Sequence, residues 1–120
     1  MNILIVEDDP QVASLIQRLV VKWGHAAFLA TTGEEALDQI RAEPVDLILL
    51  DIFLPDEDGD RLIPRINAFW SGRGIVAMTG SDSQDLEERL RRQGVIYFMT
   101  KPVNIPELEA IVRHIAGTSS

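Results

Sequence analysis

The sequence predicts an α/β domain, a doubly wound parallel sheet of five strands with helices on both faces. Short apolar runs alternate strictly with segments of helical periodicity along the whole chain. The central run, Val45 to Leu50, is apolar on both faces, as a parallel strand covered by helices on each side requires. Two strands also end in carboxylates, Glu7 and Asp8 after the first and Asp51 after the third. Open α/β sheets place their chemistry at this carboxyl edge.

The first strand, Asn2 to Val6, stops before Pro10. Asp9 caps a helix with Pro10 at its first position, and Val12, Leu15, Ile16, Leu19, Val20 and Trp23 recur at helical spacing up to Gly24. Ala26 to Ala30 forms a short second strand. Thr32-Gly33-Glu34-Glu35 fits a capping box ahead of Ala36, Leu37 and Ile40. After the third strand, Leu62, Ile63, Ile66 and Phe69 predict a helix ending near Gly72, in which Pro64 removes a backbone donor unless it lies in the first turn. Ile75 to Met78 is the fourth strand, Leu86 and Leu90 mark the fourth helix, and Val95 to Met99 is the fifth strand. Asn104 caps a last helix carrying Leu108, Ile111, Val112 and Ile115. Because parallel crossovers are right-handed, the five strand and helix pairs place helices on both faces.

A chain of 120 residues fits one domain. We assign residues 1–117 to it, and 118–120 to a tail or linker stub. The net charge of -8 opposes nucleic acid and anionic membrane as direct partners. The basic group Arg89, Arg91 and Arg92 is interleaved with Glu87 and Glu88 and reads as a solvated helix face. No apolar run has transmembrane length and no basic leader precedes the first strand, so a cytoplasmic location is expected. The absence of cysteine excludes disulfides and thiolate metal sites.

The loops after the strands meet at one edge of such a sheet. They bring Glu7 and Asp8, Asp51, Thr79 and Lys101 to one place, each from a different strand end. Carboxylates that close together raise one another's pKa unless a cation neutralises them. An acid cluster without His or Cys favours Mg2+, a hard ion that retains waters and accepts phosphate oxygens. Lys101, one of two lysines, adds positive charge, while the Thr79 hydroxyl and Gly80 amide add donors. The set describes a pocket for a phosphoryl group.

These residues resemble the receiver domain of response regulators, the phosphoacceptor module of two-component signalling. The resemblance runs from Ile3 to Ile115. It rests on Glu7-Asp8, on Asp51 followed by Leu54-Pro55 and Asp58-Gly59, on Thr79-Gly80 and on Lys101-Pro102, all in order. It implies the flavodoxin-like strand order 2-1-3-4-5 and a chemotaxis-regulator-like fold. It also implies that Asp51 is phosphorylated by a sensor histidine kinase, a phosphotransfer protein or a small phosphodonor. Mg2+ would be bound by Asp8, Asp51 and the Phe53 backbone carbonyl, with Glu7 acting through water. Lys101 would pair with the phosphoryl oxygens, Thr79 would turn toward them, and Phe98 occupies the aromatic switch position. Tyr97 should face the other side of the sheet. Phe53 and Ser81 would flank the path of the water that ends the phosphorylated state.

The implied function is a switch rather than a turnover enzyme. Phosphorylation would shift the surface of the fourth helix, fifth strand and fifth helix toward an output domain or target protein, or toward a second receiver in a phosphorylation-dependent homodimer. Three other readings are weighed against it. A degenerate receiver used only for docking would require a broken pocket, and no matching position is lost. An aspartyl-phosphate phosphatase would carry D-x-D after the strand, and Phe53 stands where the second Asp would be. A flavin-binding domain is disfavoured by the acidic first loop. Trp23 and Trp70 are assigned to packing, and His25 and His114 receive no role.

Overall fold

A computed structural model describes residues 1–80 and 83–117; Ser81 and the tail expected at 118–120 lie outside the described residues. Strands and helices alternate as β1 (Asn2–Val6), α1 (Pro10–Lys22), β2 (Ala26–Ala30), α2 (Gly33–Ala42), β3 (Leu47–Asp51), α3 (Gly59–Asn67), β4 (Gly74–Thr79), α4 (Gln84–Arg92), β5 (Val95–Thr100) and α5 (Ile105–Ala116). All strand pairs are parallel, in the order β2-β1-β3-β4-β5.

Local chemistry sets most helix ends. The Asp9 carboxylate accepts from the Gln11 and Val12 N–H groups, and Asn104 accepts from Glu107 N–H. Helix α5 closes on Gly117 at φ +71°, a left-handed conformation that glycine adopts without a Cβ clash. The capping box at α2 is only half formed. Thr32 Oγ1 accepts from Glu35 N–H, but the Glu35 carboxylate turns to the Thr31 N–H and hydroxyl, at 2.7 and 2.6 Å, instead of returning to the cap.

Helix α3 departs from the expectation at both ends of the argument. It stops at Asn67, well before Gly72, and Pro64 lies in its interior rather than in its first turn. The proline ring removes the donor that would have reached the Asp60 carbonyl. Gln93, capping the end of α4, supplies Nε2 to that carbonyl at 3.3 Å. Phe69 leaves the helix face and lies exposed under the Arg41 guanidinium, 4.8 Å from the ring centre. Trp70 packs inward, its Nε1 donating to the Val45 carbonyl at 2.9 Å.

Strand alternation divides the core in two. Leu4, Val6, Ile48 and Leu50 pack beneath α2, α3 and α4. Ile3, Ile5, Leu47 and Leu49 face α1 and α5 with Val76, Met78 and Met99. Every residue of β3 is buried, so the strand that carries Asp51 is fixed from both sides. Strand β5 contains a bulge: Ile75 pairs with Val95 but Val76 pairs with Tyr97, leaving Ile96 as the extra residue. Val95 packs beneath the α4 side, and unbroken alternation would send Tyr97 there too. The bulge instead turns Tyr97 toward α5 and Phe98 toward α4, so the two aromatics face opposite sides as expected.

Because Ile48 is fully buried in the central strand, Ile48→Ala should destabilise the domain by about 2–5 kcal/mol. Urea unfolding at fixed pH measures this. A cost below about 1 kcal/mol would contradict a tightly packed central strand.

Candidate functional site

Three strand ends deliver the acids and the lysine to one edge. Beyond β1, the Glu7 N–H still donates to the Ala30 carbonyl at 2.9 Å, which holds the backbone in register with β2 while the next residues turn away. Asp51 is the last residue of β3 and lies opposite Met78 of β4, one residue before Thr79. Lys101 follows β5, its N–H bonded to the Thr79 carbonyl at 2.8 Å, and the peptide to Pro102 is cis.

Glu7, Asp8 and Asp51 each offer a carboxylate oxygen, and these oxygens lie within 4.8 Å of one another. Their surroundings differ. Glu7 is 0% exposed and Asp51 4%, whereas Asp8 stands in solvent. Glu7 Oε1 receives Lys101 Nζ at 2.6 Å and Oε2 receives the Asp9 N–H at 3.2 Å. Asp51 Oδ2 pairs with Lys101 Nζ at 3.1 Å, and Oδ1 accepts from the Phe53 N–H at 3.1 Å. One ammonium therefore bridges the two buried acids.

Burial pushes the Glu7 carboxyl up to about 7; the Lys101 bond opposes the rise and the neighbouring Asp51 adds to it. For Lys101, burial alone would lower the pKa. The bonds to Glu7 and Asp51 outweigh burial and hold it above its ordinary value. Three carboxylates against one ammonium leave excess negative charge in a cluster made only of oxygen donors. That donor set fits a divalent hard cation such as Mg2+.

The other expected residues take these places. Thr79 is buried at the end of β4. Phe53 is 49% exposed, beside the cluster, and forms an antiparallel bridge with Asp58. Phe98 is half-buried against the α4 side of the core, next to a cavity of about 80 Å3 lined also by Thr79, Ser83 and Leu86. Ser81 lies outside the described residues. His25 accepts a bond at Nδ1 from the amino terminus at 2.9 Å, and burial lowers its pKa. His114 meets the edge of Tyr97 with ring centres 6.4 Å apart. Neither histidine belongs to the acid cluster.

Sequence reasoning missed two neighbours of the site. Arg91, read as part of a solvated face, bonds Glu87 and also lies 5.2 Å from the centre of the Phe98 ring. Asp56, which the sequence does not single out, accepts from the Gly33 and Glu34 N–H groups of α2. The Glu87 and Arg91 pair is visible as an i,i+4 spacing. Nothing local marks Asp56, because its partners lie more than twenty residues earlier.

The profile of the response regulator receiver domain matches residues 3–113. Sporulation initiation phosphotransferase F of Bacillus subtilis is 30% identical over 93% of this chain and 90% of its own length. The probable C4-dicarboxylate response regulator DctR of Halalkalibacterium halodurans is 34% identical over 91% of this chain, which covers 48% of that protein. The first curated relatives are longer than the match, and the chain spans about a quarter to a half of their length. The crystal structure of a two-component response regulator from Clostridium difficile superposes with a TM-score of 0.94 at 29% identity, covering 100% of this chain and 99% of that one. Among the described residues no helix is long and apolar enough to cross a membrane.

The raised Glu7 pKa gives a pH dependence with a definite sign. The folded value of about 7 lies above the ordinary 4.5, so the folded state holds the proton more tightly than the unfolded chain. Ionising Glu7 therefore costs stability progressively between those values, and the full cost remains above 7. Lys101 stays charged throughout, and His25, with its lowered pKa, acts in the opposite direction. Glu7→Gln should gain stability relative to the wild type as pH rises from about 5 to 8 in metal-free buffer. Paired urea titrations check this, and parallel wild-type and variant curves would exclude a buried, proton-holding Glu7.

Proposed function

Because the chain belongs to the response regulator receiver domain family, the phosphoacceptor module of two-component signalling, we propose that Asp51 is the residue that carries the phosphoryl group. The observation that carries this reading is the convergence of Glu7, Asp8 and Asp51 within 4.8 Å, with Lys101 Nζ bound to two of them. Asp51 combines the end of a fully buried strand with a direct contact to Lys101 and a place in the acid cluster.

An Asp51 carboxylate oxygen attacks phosphorus in a phosphohistidine or a small acyl phosphate. The P–N or P–O bond of the donor breaks, its electron pair leaves with the donor, and an acyl phosphate forms on Asp51. Asp8, Asp51 and the Phe53 carbonyl, with Glu7 acting through water, would hold Mg2+. When bound, it would neutralise the acids and the incoming phosphoryl oxygens. Lys101, already at Asp51 Oδ2, is placed to pair with those oxygens. The Thr79 hydroxyl turns toward them, vacating space beside the 80 Å3 cavity into which the Phe98 ring can move. The equilibrium of the surface formed by α4, β5 and α5 shifts as a result.

The donor is a sensor histidine kinase or a phosphotransfer protein, and the reader is an output domain, a target protein or a second receiver. The chain works as a cytoplasmic switch that catalyses its own phosphorylation and dephosphorylation, not as a turnover enzyme.

Intact mass after treatment with acetyl phosphate tests the assignment. The wild type should gain a single phosphoryl group only with Mg2+, and Asp51→Asn should gain none. Asp8→Ala should weaken Mg2+ binding by about tenfold or more. Lys101→Ala should keep most Mg2+ affinity and lose the conformational response to beryllofluoride. Labelling of Asp51→Asn would assign the nucleophile elsewhere; steady phosphomonoester turnover would favour a phosphatase.

A further inference from the structure

The loop between β3 and α3 carries the Phe53 carbonyl and is fixed at two places. At its base, Phe53 and Asp58 form an antiparallel bridge, and the Gly59 N–H donates to the Ile52 carbonyl at 2.7 Å. At its tip, the Asp56 carboxylate reaches another element. Oδ1 accepts from the Gly33 N–H at 2.9 Å and Oδ2 from the Glu34 N–H at 3.2 Å, at the amino end of α2. Those donors belong to the first turn, where no helical carbonyl is available, and the helix dipole favours a carboxylate there.

The two segments are in close contact. A Cβ at Gly33 would stand 3.2 Å from Glu57 Oε1 and 3.3 Å from Glu57 Cγ, tighter than ordinary packing. Arg65 of α3 adds a second link by binding both Glu57 of the loop and Glu34 of α2. The helix has its own cap in Thr32, which serves a different N–H, that of Glu35. The Asp56 bonds therefore do more than end a helix; they join the loop to it.

We infer that Asp56 is a positioning residue: by tying the β3–α3 loop to the amino end of α2, it holds the Phe53 carbonyl in place for the metal. This rests on the receiver reading above, in which that carbonyl is one of the Mg2+ ligands. Asp56 touches neither metal nor phosphoryl group and acts only through the loop. Without it the loop remains closed at its base, but its tip loses the direct bonds to α2 and the carbonyl samples a wider range of orientations before binding.

The experiment compares wild type, Asp56→Ala, Asp56→Asn and Thr32→Ala by calorimetric titration with Mg2+ and by amide hydrogen exchange of residues 53–58 in metal-free protein. Asp56→Ala should raise the Mg2+ Kd about threefold to tenfold and speed exchange in the loop. Asp56→Asn, which keeps an acceptor oxygen for the Gly33 N–H, should recover most of both. Thr32→Ala removes a cap from the same helix without touching the loop, so it should leave Mg2+ affinity and loop exchange as in the wild type. If wild type binds Mg2+ and Asp56→Ala binds it equally well, this inference is wrong while the receiver reading stands. Equal weakening by Thr32→Ala would reduce Asp56 to a helix cap and overturn it as well. A wild type that binds no Mg2+ would overturn the receiver reading and this inference with it.

Discussion

The repulsion among Glu7, Asp8 and Asp51 is the constraint around which the rest of the structure is arranged. Like charges this close disfavour one another's ionisation, and two of the three are withdrawn from water. They stay together because each leaves a strand whose position is set elsewhere. Strand β3 is buried along its whole length, and β1 lies between β2 and β3. The apolar core thus supplies the stability that the acid cluster consumes. Lys101 offsets part of the repulsion, arriving 94 residues after Glu7, so the site exists only when the sheet is complete.

This arrangement explains why the site was legible in the sequence. A parallel strand covered on both faces leaves a plain mark, an apolar run ending in polar residues, and the sheet's topology then decides what meets. Asp51 after Leu50, Thr79 after Met78 and Lys101 after Thr100 each needed only the end of a strand to be located. The caps at Asp9 and Asn104 were legible for the same reason, since cap and helix adjoin in the chain. Most of what escaped depended on partners far along the sequence. The end of α3 was misjudged because Phe69 keeps helical spacing but is drawn to Arg41, and because Gln93 lets Pro64 sit inside the helix. The reciprocal cap at α2 failed because Thr31, one residue earlier, offers Glu35 two donors.

The loop after β3 belongs to both descriptions. Its sequence announces a turn, with Pro55 and Gly59 marking it, yet its attachment to α2 is a tertiary fact. The acids at its tip are not simply solvated. The bond from the Gly33 amide, with that from Glu34, outweighs the opposing effect of burial and keeps the Asp56 carboxyl below the ordinary range. Glu57 is shared with Arg65. A segment whose composition suggests freedom is therefore braced at its base and at its tip.

The bulge in β5 carries a different lesson, about strand phase. Tyr97 and Phe98 are neighbours, and the side of the sheet each faces is decided by one supernumerary residue, Ile96, two positions before the switch candidate. A receiver that paired this residue in regular alternation instead of bulging it out would keep every amino acid and still exchange the partners of its two aromatics, bringing a phenol to the α4 side and a plain ring to α5. The identity of the aromatic at a fixed distance from the lysine is thus an incomplete description of the switch. Strand phase has to be counted from the core residue that precedes the bulge. In this fold, the place of a bulge within an edge strand can reassign the residues of two faces as thoroughly as substitution can.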